Sequence, residues 1–423
     1  MKKKYHSTTL PNGLRILTTP LKETKAVIVE IFVGAGSRQE DKAVNGISHF
    51  LEHMFFKGGE RYPDTKAVAS TLDGVGGRYN AYTSEEVVDF WVKVPKDKIE
   101  LAFDVLSDML INARFDSKEI DRERKVILEE YNRTEDDPAR NIGDIFQELM
   151  YGDQPIGRWV LGDLKVIKKL QTADFQRYKQ HLYIPSNIVI SVAGHITHDK
   201  VLRLVKKYFP YQTPDHQVKK TPATPPSARH RLLIKYKKTK QAHLMLGIPG
   251  VSGDSEDKYT MTLLSAILGG SMSSRLWLRL REQHGLGYAV HAYPNFFVDE
   301  GYFVTYAGVD LKRIDLAIQL ILEEYQLISK KLVSEKELTK NKEMIKGQML
   351  MAMENSGFWS SWMGERELLY GKIPSPEEEI AKLEAVKPRD IQKLAARLFK
   401  RSKLHLAVIG PYRDKGHFAK LVK

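Results

Sequence analysis

Leu170-Gln-Thr-Ala-Asp-Phe-Gln-Arg-Tyr178 and Ile188-Val-Ile-Ser-Val-Ala-Gly194 follow one another in the first half of the chain, a helical pattern and then an apolar strand. The same order returns 216 residues later, where Val386-Lys-Pro-Arg-Asp-Ile-Gln-Lys-Leu394 precedes Leu404-His-Leu-Ala-Val-Ile-Gly410. The aspartate of the helix and the glycine that ends the strand both recur at this offset. Two landmarks at one offset predict a duplicated domain.

A proline-rich segment separates the two copies. Residues 210–229 contain five prolines among polar residues and show no hydrophobic periodicity, which is typical of an extended linker. We therefore predict a first domain over residues 1–212, a linker over 213–230 and a second domain over 231–423.

Each copy mixes strands with helices in the same order. Strand-like segments open both copies, at Ala26–Val33 and at His243–Ile248. Helices follow, then further strands at Asp89–Val94 and Gly301–Ala307, and then long helices. This order predicts the α+β class, with two homologous halves that are each a mainly antiparallel sheet covered on one face by helices.

Composition and charge indicate which broad classes of protein this chain fits. The 423 residues are 42% hydrophobic and 28% charged, they include no cysteine, and the net charge is +13. The basic residues are spread out, without an arginine-rich arm or zinc-finger spacing, so a lysine-rich solvated surface is favoured over a nucleic-acid partner. No apolar run reaches the length of about 18 residues that a membrane span needs, and no signal peptide precedes the first copy. We expect a cytoplasmic protein without membrane insertion.

Residues 49–53 read His-Phe-Leu-Glu-His on a helix with two distinct faces. Apolar residues of this helix recur at helical spacing and predict a buried stripe. His49, Glu52 and His53 fall on the other side, within a narrow arc at about 100° per residue. Two imidazoles beside a carboxylate suit a zinc ion and a proton acceptor next to it, in the inverted order of some zinc proteases. Histidine pairs at this spacing also occur on solvated helices, so a third ligand is needed.

The segment 115–131 is the best source of that ligand. Glu123 and Glu130 are seven residues apart and align on one side of a predicted helix. Glu129 points about 100° away from Glu130 and stays an alternative, as does a merely charged, solvated helix. In the second copy the corresponding helix, Leu263–Met272, carries no metal-binding side chain, so one half alone is predicted to bind metal.

These motifs resemble the pitrilysin–insulinase family of inverted zinc metallopeptidases, in the branch of short chains similar to mitochondrial processing peptidase. In that family H-x-x-E-H is followed by 76 residues and a glutamate ligand, which here is Glu130. The family sequence E-R-x-V-I-x-x-E is matched by residues 123–130. The resemblance thus implies one Zn²⁺ per chain, bound by His49, His53 and Glu130, with Glu123 as a supporting acid.

The resemblance covers nearly the whole chain and implies further site residues. Gly76-Gly-Arg-Tyr-Asn-Ala-Tyr-Thr83 is similar to the edge strand that pairs with substrate, which implies substrate binding by Asn80, Ala81, Tyr82 and Thr83. The segment 280–288 is similar to the Arg/Tyr element of the zinc-less half, which implies that Arg281 and Tyr288 stabilise negative charge. The glycines between these two residues predict a bend there.

The activity so implied is that of a zinc-dependent endopeptidase that cleaves peptides or unfolded segments inside a closed chamber. Glu52 would be the general base. One chain supplies half of such a chamber, so a partner chain is implied, and a homodimer is favoured over a heterodimer because this chain carries both elements. The alternative is a non-catalytic scaffold or binding member of the fold, similar to the core proteins of respiratory complex III, which would be expected to lack zinc ligands.

Overall fold

The structure is a computed structural model that describes residues 5–214, 216–226 and 231–422. The chain divides into two compact units, and both are discontinuous in sequence. The first unit consists of Met1–Tyr131, Trp159–Thr221 and Leu350–Ile373, and the second consists of Asn132–Arg158, Pro222–Met349 and Pro374–Lys423.

The two units differ from the predicted domains 1–212 and 231–423 by the exchange of two helical segments. Residues 132–158 belong to the second unit and residues 350–373 to the first. Each exchanged segment contains one helix that packs against the sheet of the unit that it joins, as described below. A boundary drawn from composition does not detect such an exchange.

Eleven strands are present in the described part of the chain. They are β1 (His6–Thr9), β2 (Arg15–Pro20), β3 (Ala26–Val33), β4 (Arg78–Thr83), β5 (Val88–Pro95), β6 (Ile188–Gly194), β7 (Leu232–Tyr236), β8 (Ala242–Pro249), β9 (Gly287–Phe296), β10 (Gly301–Val309) and β11 (His405–Gly410).

Fifteen α-helices are present in the same residues. They are α1 (Ile47–Phe55), α2 (Thr65–Asp73), α3 (Ile99–Ile111), α4 (Ser117–Asp136), α5 (Pro138–Tyr151), α6 (Leu164–Ile167), α7 (Thr172–Leu182), α8 (His198–Tyr208), α9 (Asp257–Gly269), α10 (Ile314–Lys330), α11 (Glu335–Ala352), α12 (Ser356–Tyr370), α13 (Pro376–Ala385), α14 (Pro388–Leu398) and α15 (Lys415–Leu421). No helix of the described chain combines the length and hydrophobicity needed to cross a bilayer.

The first unit is built on a six-stranded sheet in the order β1-β2-β6-β3-β5-β4. β2 and β6 run parallel, whereas the other neighbours are antiparallel. Alternate residues of β3, such as Val27, Val29 and Ile31, enter the main core with the apolar faces of α1, α3 and α7. Because side chains alternate across a strand, the residues between them face the other side of the sheet.

That other side is covered by α12. Ser191 of β6 and Ser360 of α12 exchange hydrogen bonds, each hydroxyl donating to the other's carbonyl oxygen at 2.9 and 3.1 Å. The Ser361 hydroxyl donates to the Glu30 carboxylate at 3.0 Å. Gly364 lies against the ring of Phe32, where a Cβ atom would come within 2.1 Å of the ring. Small residues therefore let this helix approach the sheet closely.

The second unit repeats this arrangement. Its five-stranded sheet has the order β7-β11-β8-β10-β9, with β7 and β11 parallel and the other neighbours antiparallel. Residues of α9, α10 and α14 fill the core on one side, and α5 packs against β8 and β11. The strand order matches that of the first unit without β1. The α+β class and the two homologous halves are confirmed, and the structure adds one helix on the second face of each sheet.

Candidate metal centre

The helix α1 is held by its buried apolar face and by a cap at its start. Phe50, Leu51 and Met54 are fully buried in the core of the first unit. At its start, the buried Glu40 carboxylate accepts hydrogen bonds from the backbone N–H groups of Gly46 and Ser48 at 2.7 and 2.8 Å. A carboxylate at this position satisfies N–H groups that have no partner within the helix. Packing and capping together hold the polar face in place.

Three side chains converge at this polar face. The Nε2 atoms of His49 and His53 each lie 3.7 Å from Oε2 of Glu130. These residues form the one group of three potential ligands in the described chain whose ligand atoms all lie within 4.8 Å of one another. Ligand atoms bound tetrahedrally at about 2 Å from zinc are about 3.3 Å apart, so a small inward movement would suffice. The donor set fits Zn²⁺.

Glu123 orients one of the histidines. Its Oε1 atom lies 2.8 Å from Nδ1 of His53, and its other oxygen forms an ion pair with Lys57. A carboxylate bound to one ring nitrogen fixes the ring and makes the opposite nitrogen the ligand. Glu123 therefore supports His53 without joining the three ligands.

The pKa of His49 is lowered overall, whereas the pKa of His53 is raised overall. Burial, and secondarily the neighbouring His53, lowers the pKa of His49 to about 3. Burial also acts to lower the pKa of His53, but the hydrogen bond to Glu123 and the charges of nearby carboxylates raise it overall. In the described residues Nδ1 of His49 has no hydrogen-bond partner. His49 is thus neutral, which is the form of imidazole that binds a metal.

Glu52 lies beside the three potential ligands and is held by the edge strand. The Thr83 hydroxyl of β4 donates a hydrogen bond to Oε2 of Glu52. Burial raises the pKa of Glu52, and the hydrogen bond from Thr83 opposes this effect. A carboxylate with a raised pKa is suited to accept a proton and release it again.

The helix α4 presents Glu130 and Glu123 to α1, and it turns Glu129 away. Its start is capped by Asp116, whose carboxylate accepts from the backbone N–H of Lys118 at 2.8 Å. Glu129 is exposed, whereas Glu123 is buried. Of the two residues that helix geometry left open, the structure brings Glu130 to the histidines.

The predicted substrate strand is an edge of the first sheet. Among the described strands, β4 pairs with β5 alone. Ala81 and Thr83 are buried, whereas Asn80 and Tyr82 are exposed. The backbone of the free edge can accept another strand by main-chain hydrogen bonds.

Arg281 belongs to the second unit. It lies in a π-helical segment, Trp277–Gln283, where Nη1 donates to the carbonyl oxygen of Gly287 at 3.1 Å. The chain bends at Gly285, whose φ is 57°, and β9 begins at Gly287. The side chain of Tyr288 lies outside the described residues. The bend is as predicted, and the roles of Arg281 and Tyr288 stay predictions.

Sequence reasoning missed three contacts around the centre. Lys57 follows His53 by four residues. On a helix this spacing places two side chains on one face, so the sequence could have indicated that Lys57 lies near the centre. Glu40 reaches the start of α1 from a loop, and Thr83 reaches Glu52 from a strand. The Glu40 contact spans only six to eight residues. The contact of Thr83 with Glu52 joins segments that are brought together by the fold, so it has no local sequence signature.

Comparison with known proteins identifies the family of this chain. Residues 15–164 match the family model "Insulinase (Peptidase family M16)", and residues 169–345 match "Peptidase M16 inactive domain". An uncharacterized zinc protease of Streptomyces coelicolor is 34% identical over 414 residues, which are 96% of this chain and 90% of the relative. The chain belongs to peptidase family M16. The family expected from the motifs is confirmed.

A second relative supports the family, and two solved structures share the fold. The uncharacterized zinc protease YmxG of Bacillus subtilis is 34% identical over 95% of this chain and 97% of its own length. A protease from Helicobacter pylori has the same fold, with a TM-score of 0.90 at 22% identity over 96% of this chain and 100% of that one. A chain of complex III2 from Candida albicans shares the fold with a TM-score of 0.85 at 20% identity, over 99% of both chains.

Proposed function

We propose that this member of family M16 is a zinc-dependent endopeptidase that cleaves peptides or unfolded segments. The observation that carries the proposal is the convergence of His49, His53 and Glu130 with Glu52 beside them. The relatives named zinc proteases support both the metal and the type of reaction.

His49, His53 and Glu130 would bind one Zn²⁺ per chain. Bound zinc supplies a Lewis acid that polarises a peptide carbonyl and lowers the pKa of a water molecule. The ion pair of Glu123 with Lys57 keeps this carboxylate ionised: burial acts to raise the pKa of Glu123, but its bonds to His53 and Lys57 lower it overall. Glu123 can therefore hold the His53 ring throughout the reaction.

Glu52 would perform the proton transfers. Its carboxylate would accept a proton from the attacking water and deliver it to the nitrogen of the leaving amine. The hydrogen bond from Thr83 occupies one carboxylate oxygen and leaves the other to face the water. Because Thr83 lies on β4, the strand that would bind the peptide also positions the general base.

The peptide would add to the free edge of β4 along Asn80–Thr83. Main-chain hydrogen bonds would hold it extended with little dependence on its sequence. Negative charge that develops on the cleaved carbonyl would be stabilised by Arg281 and Tyr288 from the second half. A second copy of the chain would complete the chamber. These further parts of the proposal rest on the family resemblance.

The alternative is a scaffold without activity. A chain of complex III2 has the same fold, so this fold can occur within a large assembly. A scaffold has no need of a carboxylate beside three converging potential ligands, and this arrangement supports the peptidase. We therefore favour the peptidase.

The deciding experiment measures zinc and hydrolysis in one preparation. Purified protein is expected to contain about one zinc per chain by atomic emission. It should hydrolyse unfolded casein, lose this activity with a chelator and regain it when zinc is restored. Protein that remains metal-free after incubation with zinc, and hydrolyses neither casein nor a peptide library, would establish the scaffold instead.

A further inference from the structure

A cavity in the second unit contains none of the elements that form the metal centre. Its volume is about 700 Å³. Small-molecule sites typically have about 300–1,000 Å³, so the cavity is large enough for a ligand. One face of α10, the residues between α14 and β11, and the end of α15 surround it. All of these segments belong to the second unit.

Apolar side chains line part of this cavity and keep some exposure to water. Leu322 of α10, Phe399 and Leu421 of α15 are only partly buried where they pack against the core of the second unit. The Phe399 ring stacks on the buried Tyr325 ring at 4.0 Å between ring centres, which holds the Phe399 ring in place. An apolar chain that covered these side chains would leave water together with them. Each methylene group so buried strengthens binding about fourfold.

Positive charge lines the same cavity. Lys330 at the end of α10, Arg401 and Lys420 contribute one cation each. Both lysines are exposed, and neither forms an ion pair with a residue that the structure describes. Glu323 is the one carboxylate among the described lining residues, and it is already paired with Arg279. The cavity therefore has an excess of positive charge next to its apolar side chains.

The combination of these two features in one cavity indicates the chemistry of a ligand. Solvated lysines and partly exposed leucines are each common on protein surfaces, so neither feature alone would indicate one. A small polar anion would leave the apolar side chains in water, and a neutral apolar molecule would leave the positive charge without a partner. A ligand that satisfies both has an apolar part and a negative charge.

We propose that this cavity binds a single-chain amphipathic anion, in which an apolar chain ends in a carboxylate, as in a medium-chain fatty acid. The chain would cover Leu322, Phe399 and Leu421, and the carboxylate would pair with the cations that line the cavity. The site uses no residue of the proposed peptidase.

Calorimetric titration of the purified chain tests the site, with each ligand kept below the concentration at which it aggregates. Octanoate should bind at one molecule per chain. Decanoate has two more methylene groups and should bind up to about sixteenfold more tightly. Acetate lacks the chain and should bind more than about a hundredfold more weakly than octanoate. Octanol lacks the charge and should bind at least about threefold more weakly.

Substitution of the lysines tests the assignment to this cavity. Lys330→Gln combined with Lys420→Gln removes two of the three cations, so octanoate should bind about two- to thirtyfold more weakly. The matched control combines Lys165→Gln with Lys168→Gln, two exposed lysines of the first unit that do not line the cavity. It should bind octanoate as the native protein does. A diazirine analogue of decanoate should photolabel α10, α15 or the residues between α14 and β11, which peptide mass spectrometry locates.

Absence of binding by both octanoate and decanoate would overturn the proposal, as would octanol that binds as tightly as octanoate. Equal binding of octanoate by the two double variants, or photolabelling confined to other elements, would overturn it too. Weaker binding by the variant of Lys330 and Lys420 alone, with labelling at this cavity, supports it. None of these measurements involves zinc or peptide hydrolysis, so the peptidase and this site can fail independently.

Discussion

The two histidines of the metal centre lie one turn apart on one helix, yet their surroundings differ. His53 is held through Nδ1 by Glu123, whereas His49 is held by burial and keeps an unpaired Nδ1 in the described structure. A metal bound to both nitrogens would compensate the desolvation of this polar face. The carboxylates around the histidines make different contacts, and substitutions of similar shape can test the role proposed for each.

Glu52→Gln should keep zinc and lose hydrolysis. The amide preserves the size of the side chain and can still receive the Thr83 hydrogen bond, but it does not accept the proton of the attacking water. We expect kcat to fall about 10²–10⁴-fold at an unchanged zinc content. Casein hydrolysis and atomic emission on the same sample give both values. A variant that retains full activity would remove Glu52 from the mechanism.

Glu130→Gln should weaken zinc retention more than about tenfold, because a neutral amide replaces a charged ligand. Glu129→Gln is the matched control, since this exposed neighbour faces away from the histidines. Competition with a fluorescent zinc chelator measures both affinities. Loss of zinc from Glu129→Gln, with Glu130→Gln unaffected, would show that the ligand is assigned to the wrong glutamate.

The packing of α12 against the sheet of the first unit depends on small residues at the contact. Gly364→Ala would place a Cβ atom 2.1 Å from the Phe32 ring, so the helix or the ring must move. We expect a loss of about 1–3 kcal/mol in the free energy of unfolding, from overpacking. Urea unfolding measures it.

Gly347→Ala in α11 is the control for that substitution. A Cβ there meets no heavy atom within 4 Å in the described part of the chain, so helix propensity alone applies. The substitution should be neutral or stabilise by up to about 1 kcal/mol. Equal effects of both substitutions would contradict the close contact between α12 and β3.

A buried pair of carboxyl groups links β3 and β5 beneath α12. Burial, with the neighbouring Glu30, raises the pKa of Asp89 to about 8. A carboxyl group whose pKa is raised by folding stabilises the protein while it is protonated, and this stability is lost as pH rises from about 4 toward 8. The side chain introduced by Asp89→Asn does not titrate. Between pH 5 and pH 8, the free energy of unfolding of this variant should therefore rise by about 1–3 kcal/mol relative to that of the native protein.

Chemical denaturation at several pH values measures this difference. Asp97→Asn is the control because the Asp97 side chain is 69% exposed, and its stability should stay parallel to that of the native protein. If Asp89→Asn also stays parallel, folding does not raise the pKa of the Asp89 carboxyl group.

For the whole molecule, the predicted partner is a second copy of the chain. A chamber closed by two copies requires a mass of about twice the 48.4 kDa of one chain in sedimentation. Sedimentation equilibrium at several concentrations distinguishes a stable dimer from weak association. A monomer that still hydrolyses casein would contradict both the homodimer and the closed chamber.

The duplication of the domain is visible in both the sequence and the structure. Matching landmarks in the two copies predicted two homologous halves, and the two sheets repeat one strand order. The exchange of segments 132–158 and 350–373 was not predicted. Helical periodicity shows that a helix has an apolar face, but it does not specify which sheet covers that face.

The chain's own residues determined the class of fold, the helix that carries both histidines and the half that can bind metal, because these follow from periodicity and from the kind of side chain at each position. The tertiary structure decided what depends on distant segments: that Glu130 meets the histidines while Glu129 does not, that Glu123 holds His53, and that Thr83 holds Glu52. Rotation about a helix leaves neighbouring residues open as ligands. The family resemblance implied Glu130, and the packing of α4 near α1 brings this residue to the histidines.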